Sequence, residues 1–339
     1  MSTPGVRELV DRARSGDARA VARVVTLVEN GAPSLREAMA LLAPASGHAR
    51  VVGLTGPPGV GKSTTVTALV ARYRADGKRV GVLAVDPSSP FSGGALLGDR
   101  VRMQEHATDP GVFIRSMASR GHLGGLSAAT PQALRVLDAA GFDVVLIETV
   151  GVGQSEVEIA RAADTIVVML APGMGDGIQA AKAGILEIGD LYVVNKGDRD
   201  GAEATMRDLR HMLSMGGQRA LRAGAGGGSE GGFWSPPVLR TVASNADGID
   251  ELVAALDQHH DWLAESGELD ARRVRRAAGE IEALAIAALR GRLGSPGDDG
   301  RLSDVARRVA DGRLDPYGAA DELVAGLTTG EPAAHQPDL

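Results

Sequence analysis

The stretch that decides the fold is Gly56-Pro57-Pro58-Gly59-Val60-Gly61-Lys62-Ser63-Thr64. It follows an apolar run at 51–55 and precedes a helical pattern at 65–73, so the order is strand, glycine loop, helix. This spacing fits G-x-x-x-x-G-K-[ST], in which backbone N–H groups and a helix N-terminus surround phosphate groups. In that motif Lys62 contacts the β- and γ-phosphates and Ser63 gives its hydroxyl to Mg²⁺. The stretch therefore predicts a nucleoside-phosphate site rather than a plain glycine-rich turn.

Composition narrows the class of protein. The chain has 339 residues, 44% hydrophobic and 23% charged, which allows one large globular domain with appendages. Its net charge of −7 argues against nucleic acid as the main partner. It contains no cysteine, which excludes disulfides and thiolate metal sites and is compatible with a reducing cytosol. We see no secretory signal and no apolar run of about 18 residues, and so predict a cytoplasmic protein without membrane contact.

Three regions with different patterns follow one another along the chain. We interpret 1–44 as a helical lead-in, 45–263 as the nucleotide-binding domain, and 264–339 as a C-terminal helical arm with a disordered tail. In the central region, runs rich in Val, Ile and Leu alternate with helix-sized segments, which predicts a mostly parallel sheet flanked by helices. The predicted strands cover 50–55, 80–86, 112–115, 144–148, 165–170, 191–195 and 238–241. Ligands of such sheets bind at the carboxyl ends of the strands.

Other patterned segments carry weaker signals. The glycine-rich stretch 223–232 is interpreted as a linker. An apolar stripe on the long C-terminal helix fits either an oligomerisation arm or packing on its own domain. Near the start of that helix, a basic cluster is interpreted as a solvated face: Arg272, Arg273, Arg275 and Arg276. The seven histidines are scattered without ligand spacing, so a metal-transfer site is not predicted.

A guanine-reading arrangement, Asn195-Lys196-Gly197-Asp198, ends one of the predicted strands. Guanine presents N1–H and a 2-amino group as paired donors, and the Asp198 carboxylate can accept both. Adenine has an acceptor at N1 and would leave that charge unpaired, which makes the discrimination strong. Lys196 would lie along the base, and Asn195 would tie this segment to the glycine loop. Backbone amides of Ala243 and Ser244, after the last strand, could reach guanine O6, which is a weak signal by itself.

Two acidic residues at strand ends are candidates for Mg²⁺ binding and for hydrolysis. Glu148 begins Glu148-Thr149-Val150-Gly151, where a metal-binding acid and a glycine amide near the γ-phosphate are expected. Asp occupies this place in most small GTPases, so Glu148 could contact a metal-bound water, orient the attacking water, or only cap the next turn. Gln154 and Glu156 follow in the same loop and could respond to the γ-phosphate.

Asp86 ends the strand beside the glycine loop, and Asp99 follows it in a Pro- and Gly-rich segment that has the pattern of a mobile switch. Both are candidates for Mg²⁺ or the catalytic water, the alternative being surface acids in a capped loop. A second glycine-rich loop carries Asp176, which either belongs to a further switch or simply caps the helix that contains Lys182.

Together these residues resemble the MeaB/ArgK-type P-loop GTPases, the methylmalonyl-CoA mutase-associated proteins. The matching motifs are 56–64, 86–90 with 98–99, 148–156, 182–190 and 195–198, with the helical lead-in and 315–317 as further features. The resemblance covers about residues 1–327. Two departures are a longer glycine-rich stretch at 223–232 and Gly197 in place of a more usual alanine.

The resemblance implies an α/β fold of the signal-recognition/MinD-like class of P-loop GTPases, with N- and C-terminal helical extensions. It also implies GTP and GDP with Mg²⁺ as cofactors and a homodimer built through the C-terminal arm. The implied role is to gate adenosylcobalamin delivery to methylmalonyl-CoA mutase or a related acyl-CoA mutase, and to protect or reactivate that enzyme.

By motif match, the resemblance places particular residues in these roles. Lys62 and Ser63 bind phosphate and Mg²⁺. Asp86, Asp99 and Glu148 stand where the family has its Mg²⁺ and hydrolysis residues. Lys182 falls in the third switch loop, which relays the nucleotide state to the mutase.

The leading hypothesis is thus a GTPase with slow intrinsic turnover that its partner stimulates, because no arginine can be assigned as a finger for the γ-phosphate. A nickel-delivery GTPase would need cysteine or clustered histidine near the switches, and the sequence has neither. A kinase or ATPase serving amino-acid transport is opposed by Asp198, which favours guanine. Glu148 in place of Asp would suggest a different class, a binding module that holds the nucleotide without hydrolysing it.

Overall fold

The computed structural model describes residues 5–87, 104–106, 108–119, 129–149, 159, 162–173, 187–222, 233–293 and 300–328. Five candidate site residues lie outside these ranges: Asp99, Gly151, Gln154, Asp176 and Lys182. The glycine-rich stretch 223–232 and Glu156 lie outside them as well. The roles assigned to these residues stay predictions.

A seven-stranded sheet runs through the described part of the chain in the order β3-β2-β4-β1-β5-β6-β7. Its strands are β1 Arg50–Thr55, β2 Val80–Pro87, β3 Val112–Ser119, β4 Val144–Thr149, β5 Thr165–Leu170, β6 Leu191–Val194 and β7 Val238–Arg240. All the neighbouring strands of this sheet pair in parallel. The predicted α/β fold is therefore confirmed. Strand β3 continues past its predicted end at 115, because it pairs with β2 as far as Pro87 and Ser119.

Helices precede, connect and follow the strands. They are α1 Val6–Arg14, α2 Ala18–Glu29, α3 Leu35–Leu42, α4 Lys62–Ala75, α5 Thr130–Ala139, α6 Ala202–Arg222, α7 Ile249–Glu265, α8 Glu268–Leu293, α9 Arg301–Ala310 and α10 Pro316–Thr328. Short 3-10 turns occur at Ala43–Ala45, Gln104–His106 and Ala243–Asn245. Among the described helices, none is both long and apolar enough to cross a membrane.

The core consists of one helical layer on each face of the sheet. Strand β4 illustrates why, since Val145 and Ile147 face an apolar cluster with α1, α2, α3 and α5. Its alternate residues, Val144 and Leu146, face a second cluster with α4 and α7. Successive strand residues point to opposite faces, so a strand buried on both faces needs an uninterrupted apolar run. This is the pattern that the sequence shows in these segments.

The N-terminal helices belong to the first of these layers. Asp17 caps α2 by accepting hydrogen bonds from the backbone N–H groups of Arg19 and Ala20, at 2.9 and 3.2 Å. The residues of α2 that face the sheet, including Val24 and Val25, are fully buried. At the other end of α2, Glu29 forms an ion pair with Arg115 of β3. The helical lead-in is therefore packed on the sheet.

The arginines at the start of α8 include two that do not lie on the solvated face predicted from the sequence. Arg272 donates from both terminal nitrogens to the two carboxylate oxygens of Asp190, at 2.8 and 2.9 Å. Arg273 donates to the carbonyl oxygens of Gly47 and Ala49, at 2.5 and 3.2 Å. The prediction of a solvated face was wrong for both residues, because the fold brings a carboxylate and free carbonyls from distant segments against this turn.

The chain divides into two compact units, Met1–Arg273 and Val274–Leu339. In the second unit, the described residues form the rest of α8 and the helices α9 and α10, with a turn between α9 and α10. Arg308 of α9 pairs with Glu322 of α10 at 2.8 Å, and Val305 and Ala319 are buried. The part of α8 in this unit leaves several apolar side chains exposed, namely Val274, Ile281, Leu284, Ile286 and Leu289.

Candidate nucleotide site

The glycine loop joins the central strand β1 to α4, whose first residue is Lys62. Gly61 has a left-handed backbone with φ of 99°, and a Cβ at this position would overlap the Asn195 amide nitrogen. Glycine is required here for both reasons. The Lys62 ammonium is buried and donates to the carbonyl oxygens of Gly56 and Pro57, at 2.7 and 3.1 Å. The loop thus holds one positive charge against its own backbone, at the N-terminus of a helix, where phosphate binds well.

Ser63 and Glu148 meet at the carboxyl edge of the sheet. The Ser63 hydroxyl donates to Glu148 Oε1 at 3.1 Å. Glu148 is buried near the end of β4, where it lies in register with Leu54 of β1 and Ala84 of β2. Since β4 separates β1 from β2, its terminal acid is placed directly beside the glycine loop. These two side chains supply a hydroxyl oxygen and a carboxylate oxygen at one point.

This pair fits a Mg²⁺ ion. Mg²⁺ takes oxygen ligands and is commonly held by one or two carboxylates, a hydroxyl, phosphate oxygens and water. The backbone of Asp86 lies near the end of β2, beyond the residues that pair with Glu148 and Thr149. Within the described ranges, no group of three or more His, Cys, Asp and Glu residues could bind a metal by itself.

The Asn195 carboxamide connects the glycine loop to the segment after β7. Its Nδ2 donates to the Val60 carbonyl at 2.8 Å. Its Oδ1 accepts from the Thr241 hydroxyl and from the Ala243 backbone N–H, both at 3.1 Å. The residue is buried, so each of these bonds is shielded from competing water. Three segments that are distant in sequence are held together by one side chain.

Lys196 and Asp198 follow at the same edge. Lys196 has a left-handed backbone with φ of 58°, and its ammonium donates to the Gly59 carbonyl at 2.6 Å. Gly197 is buried and donates its N–H to the Thr241 carbonyl at 2.9 Å. Asp198 is exposed, so its carboxylate is accessible to a ligand. Ala243 and Ser244 lie in the 3-10 turn that Asn195 contacts.

The described candidates therefore gather at one edge of the sheet. They are the glycine loop from Gly56 to Thr64, with Glu148, Asn195, Lys196, Asp198, Ala243 and Ser244, and the backbone of Asp86 lies at the same edge. Sequence reasoning missed Thr241, which is fully buried and orients Asn195. The available signal was a hydroxyl residue at the end of a strand, immediately before the segment predicted to reach guanine O6. It also missed Arg240, whose side chain lies against Gly197.

The chain is similar to named proteins along most of its length. The family model described as methylmalonyl Co-A mutase-associated GTPase MeaB matches residues 21–295. A Pyrococcus abyssi protein that carries the name of a GTPase is 46% identical, over 96% of this chain and 98% of its own. GTPase ArgK of Escherichia coli is 38% identical over 80% of both chains. The methylmalonic aciduria type A homolog of Caenorhabditis briggsae is 36% identical, over 80% of this chain and 67% of its own.

One solved structure matches nearly the whole chain. The crystal structure described as LAO/AO transport system kinase has a TM-score of 0.66 and 28% identity, and the match covers 96% of this chain and all of that one. The family match at 21–295 includes the glycine loop, Glu148 and the segment 195–198.

Proposed function

This chain belongs to the MeaB family of methylmalonyl-CoA mutase-associated GTPases, and from that membership we propose its function. The protein binds GTP with Mg²⁺ and hydrolyses it. It uses the change of nucleotide to gate adenosylcobalamin delivery to methylmalonyl-CoA mutase or a related acyl-CoA mutase, which it also protects or reactivates. The observation that carries the nucleotide part is the Asn195 carboxamide, which binds Val60 of the glycine loop and Ala243 of the base-side turn. It sets the spacing between the phosphate-contacting and base-contacting segments.

The chemistry of hydrolysis would be divided among a few side chains. Bound Mg²⁺ would neutralise charge on the phosphate oxygens, held by Ser63, by Glu148 and, from its place on β2, by Asp86. Lys62 would move from the Gly56 and Pro57 carbonyls to the phosphates, which are stronger acceptors. The 3.1 Å contact between Glu148 and Ser63 favours a metal-side role for Glu148 over a role in orienting the attacking water.

Slow intrinsic turnover and stimulation by the partner are part of the proposal. GTPases of this kind are slow when no arginine stabilises the charge that develops on the γ-phosphate, and the sequence assigns none here. A slow enzyme keeps its GTP-bound form long enough to act as a switch. Single-turnover hydrolysis measured with and without the purified mutase tests this point. Fast turnover of the isolated chain would contradict it.

A homodimer through the C-terminal arm is also proposed. The support is the row of exposed apolar side chains on α8, among them Val274 and Ile281, each 67% exposed in the single chain. Large exposed apolar patches commonly mark a surface that another protein covers. A second copy of α8 would bury this row, because a two-fold axis brings the same surface of both copies together.

A transport kinase is the second candidate, because the similar solved structure is described as one. That function requires ATP, whereas in the proposed site Asp198 would accept from the paired donors of guanine. Binding of ADP as tightly as GDP would favour the kinase.

Reconstitution tests the proposed function as a whole. The purified chain is mixed with the apo form of the mutase from the same host and with adenosylcobalamin supplied as free cofactor, in the presence of GTP or GDP. We expect cofactor transfer, followed by the cobalamin absorption spectrum and by mutase activity, to depend on which nucleotide is bound. Lys62→Ala should abolish that dependence, because it removes the phosphate-contacting charge. Transfer that is identical with GTP, with GDP and with Lys62→Ala would contradict the proposal.

A further inference from the structure

We propose that Arg240 is a positioning residue for guanine recognition, because its side chain lies across Gly197 and holds the segment that carries Asp198. The inference rests on the proposed guanine-nucleotide function and deepens it. In this inference the exposed Arg240 orients the Asp198 carboxylate, which distinguishes guanine from other bases.

The backbone around Lys196 needs to be held in place. Its φ of 58° lies in the left-handed region, which costs a residue with a Cβ roughly 1–2 kcal/mol. Such a conformation persists only where neighbouring contacts impose it. On the N-terminal side, Asn195 is fixed by Thr241 and Ala243. On the C-terminal side, the fixed residue is Gly197.

Gly197 is held by backbone and by Arg240. Its N–H donates to the Thr241 carbonyl at 2.9 Å. Its carbonyl accepts from Arg240 Nη1 at 3.4 Å. A Cβ on residue 197 would overlap Arg240 Cγ and lie 2.9 Å from Cδ. The arginine stem therefore occupies the space that a side chain at 197 would fill, and the two positions depend on each other.

Arg240 is itself oriented by its surroundings. Its Nη2 lies 3.6 Å from Asp247 Oδ2. Asp247 in turn accepts a hydrogen bond at its carbonyl from the Val242 N–H, at 2.9 Å. The guanidinium thus spans from the base-side turn to the Gly197 carbonyl. This arrangement joins the segment after β7 to the segment that carries Asp198.

Loss of the Arg240 contact would affect Asp198, because Asp198 follows Gly197 directly in the chain. Freeing the Gly197 peptide lets the exposed Asp198 carboxylate turn. Guanine needs that carboxylate for two hydrogen bonds, to N1–H and to the 2-amino group, whereas hypoxanthine has only the N1–H donor. Loss of the Arg240 contact should therefore cost GDP more affinity than inosine diphosphate. The ion pair with Asp247 is solvent-exposed, so its loss should affect overall stability little.

The experiment is a double-mutant cycle of Arg240→Ala and Asp247→Ala, with GDP and inosine diphosphate affinities measured by calorimetry on the full chain. Alanine at 247 removes the carboxylate that lies 3.6 Å from Arg240 Nη2 and leaves the backbone hydrogen bond between Val242 and Asp247 in place. Each single variant should lower the affinity ratio of GDP to inosine diphosphate by about 3- to 10-fold. The double variant should resemble Arg240→Ala, because Asp247 acts on Gly197 only through Arg240. Melting temperatures should stay within about 2 °C of the wild type, since surface changes are nearly neutral.

Two control variants sharpen the result. Arg210→Ala, on the exposed side of α6, removes the same charge elsewhere and should leave the ratio unchanged. Arg240→Lys keeps the aliphatic stem over Gly197 and should retain most of the wild-type affinity ratio of GDP to inosine diphosphate. A wild-type ratio in Arg240→Ala, or additive losses in the double variant, would overturn the inference while leaving the function intact. A wild-type chain that binds ADP as well as GDP would overturn both.

Discussion

At the scale of single residues, Asn195 connects the glycine loop to the segment after β7. Its amide nitrogen donates to Val60, and its oxygen accepts from Thr241 and Ala243. Aspartate could not make the first bond, because a carboxylate would face the Val60 carbonyl. The hydroxyl of Thr241 and the N–H of Ala243 fix which end of the amide points to the glycine loop. The chemistry of asparagine, rather than its size, is thus what this position requires.

Asp198→Asn should change the base preference of the nucleotide site from guanine to xanthine. Asparagine offers one acceptor and one donor, which match the N1–H and the C2 carbonyl of xanthine but place a donor against the guanine 2-amino group. We expect GDP affinity to fall at least about 100-fold, because a polar mismatch is left unpaired, and xanthosine diphosphate affinity to rise. Titration calorimetry with both nucleotides measures the exchange. If the variant kept wild-type GDP affinity, Asp198 would have no part in base recognition.

Glu148→Gln should impair hydrolysis more than binding. Glutamine keeps the length of the side chain and can still accept from Ser63, but it carries no charge for Mg²⁺. We expect kcat for GTP to fall at least about 10-fold, and more Mg²⁺ to be needed for half-maximal rate, since a fixed charge at the metal is lost. Glu251→Gln, exposed on α7, is the matched control and should behave as wild type. Unchanged kcat and Mg²⁺ dependence in Glu148→Gln would remove Glu148 from the metal site.

At the scale of elements, Asp190 anchors three of them at the amino ends of the strands. It precedes β6, pairs with Arg272 of α8, and lies 3.4 Å from His259 Nε2 of α7. Trp234 donates its indole N–H to the Asp190 carbonyl at 2.7 Å. Burial tends to raise the pKa of Asp190, but the contacts with His259 and Arg272 outweigh it and hold that pKa below its ordinary value.

Asp190→Asn should destabilise the first unit by about 3 kcal/mol, because Arg272 would lose the carboxylate it faces. Both tryptophans of the chain, Trp234 and Trp262, border this cluster, so urea unfolding followed by tryptophan fluorescence is the measurement.

The pH dependence of this loss follows from the lowered pKa of Asp190. The carboxylate contribution is complete above the unfolded pKa of about 3.9 and disappears as the pH falls through the lower folded value. The difference in free energy of unfolding between wild type and Asp190→Asn should therefore stay constant from pH 7 to about pH 5. It should disappear only in stronger acid. Asp257→Asn, which breaks a partly exposed pair with Arg50, should cost less stability than Asp190→Asn. Equal losses in the two variants would contradict the anchoring role.

At the scale of the whole molecule, the sequence predicts local structure and misses contacts between residues that are far apart in the chain. The glycine loop, the strands and the parallel sheet follow from short patterns, because each motif carries its own turn and its own apolar run. The pairing of Arg272 with Asp190 joins residues 82 positions apart, and no local pattern reports it. The support that Thr241 gives to Asn195 depends on two strand ends meeting at one edge of the sheet. The candidate site residues thus follow from sequence motifs, whereas the residues that orient them could be found only from the fold.

The C-terminal arm makes a prediction at this same scale. Ile281→Glu places a charge in the exposed apolar row of α8, and we expect it to convert a dimer to a monomer in analytical ultracentrifugation. Glu282→Ala, also exposed on α8, is the control and should remain dimeric. GDP affinity should not change in either variant, since the candidate nucleotide site is formed by residues of the first unit. A wild-type chain that sediments as a monomer at micromolar concentration would contradict the proposed dimer.

The most direct test of the central claim is phosphate release from GTP and from ATP, measured side by side with the purified full chain and Mg²⁺. The account predicts slow release from GTP and at least about 100-fold less from ATP at limiting nucleotide, because adenine leaves Asp198 unpaired. It also predicts that Asp198→Asn abolishes the GTP reaction and acquires one with xanthosine triphosphate. Equal release from GTP and ATP by the wild-type chain would contradict it.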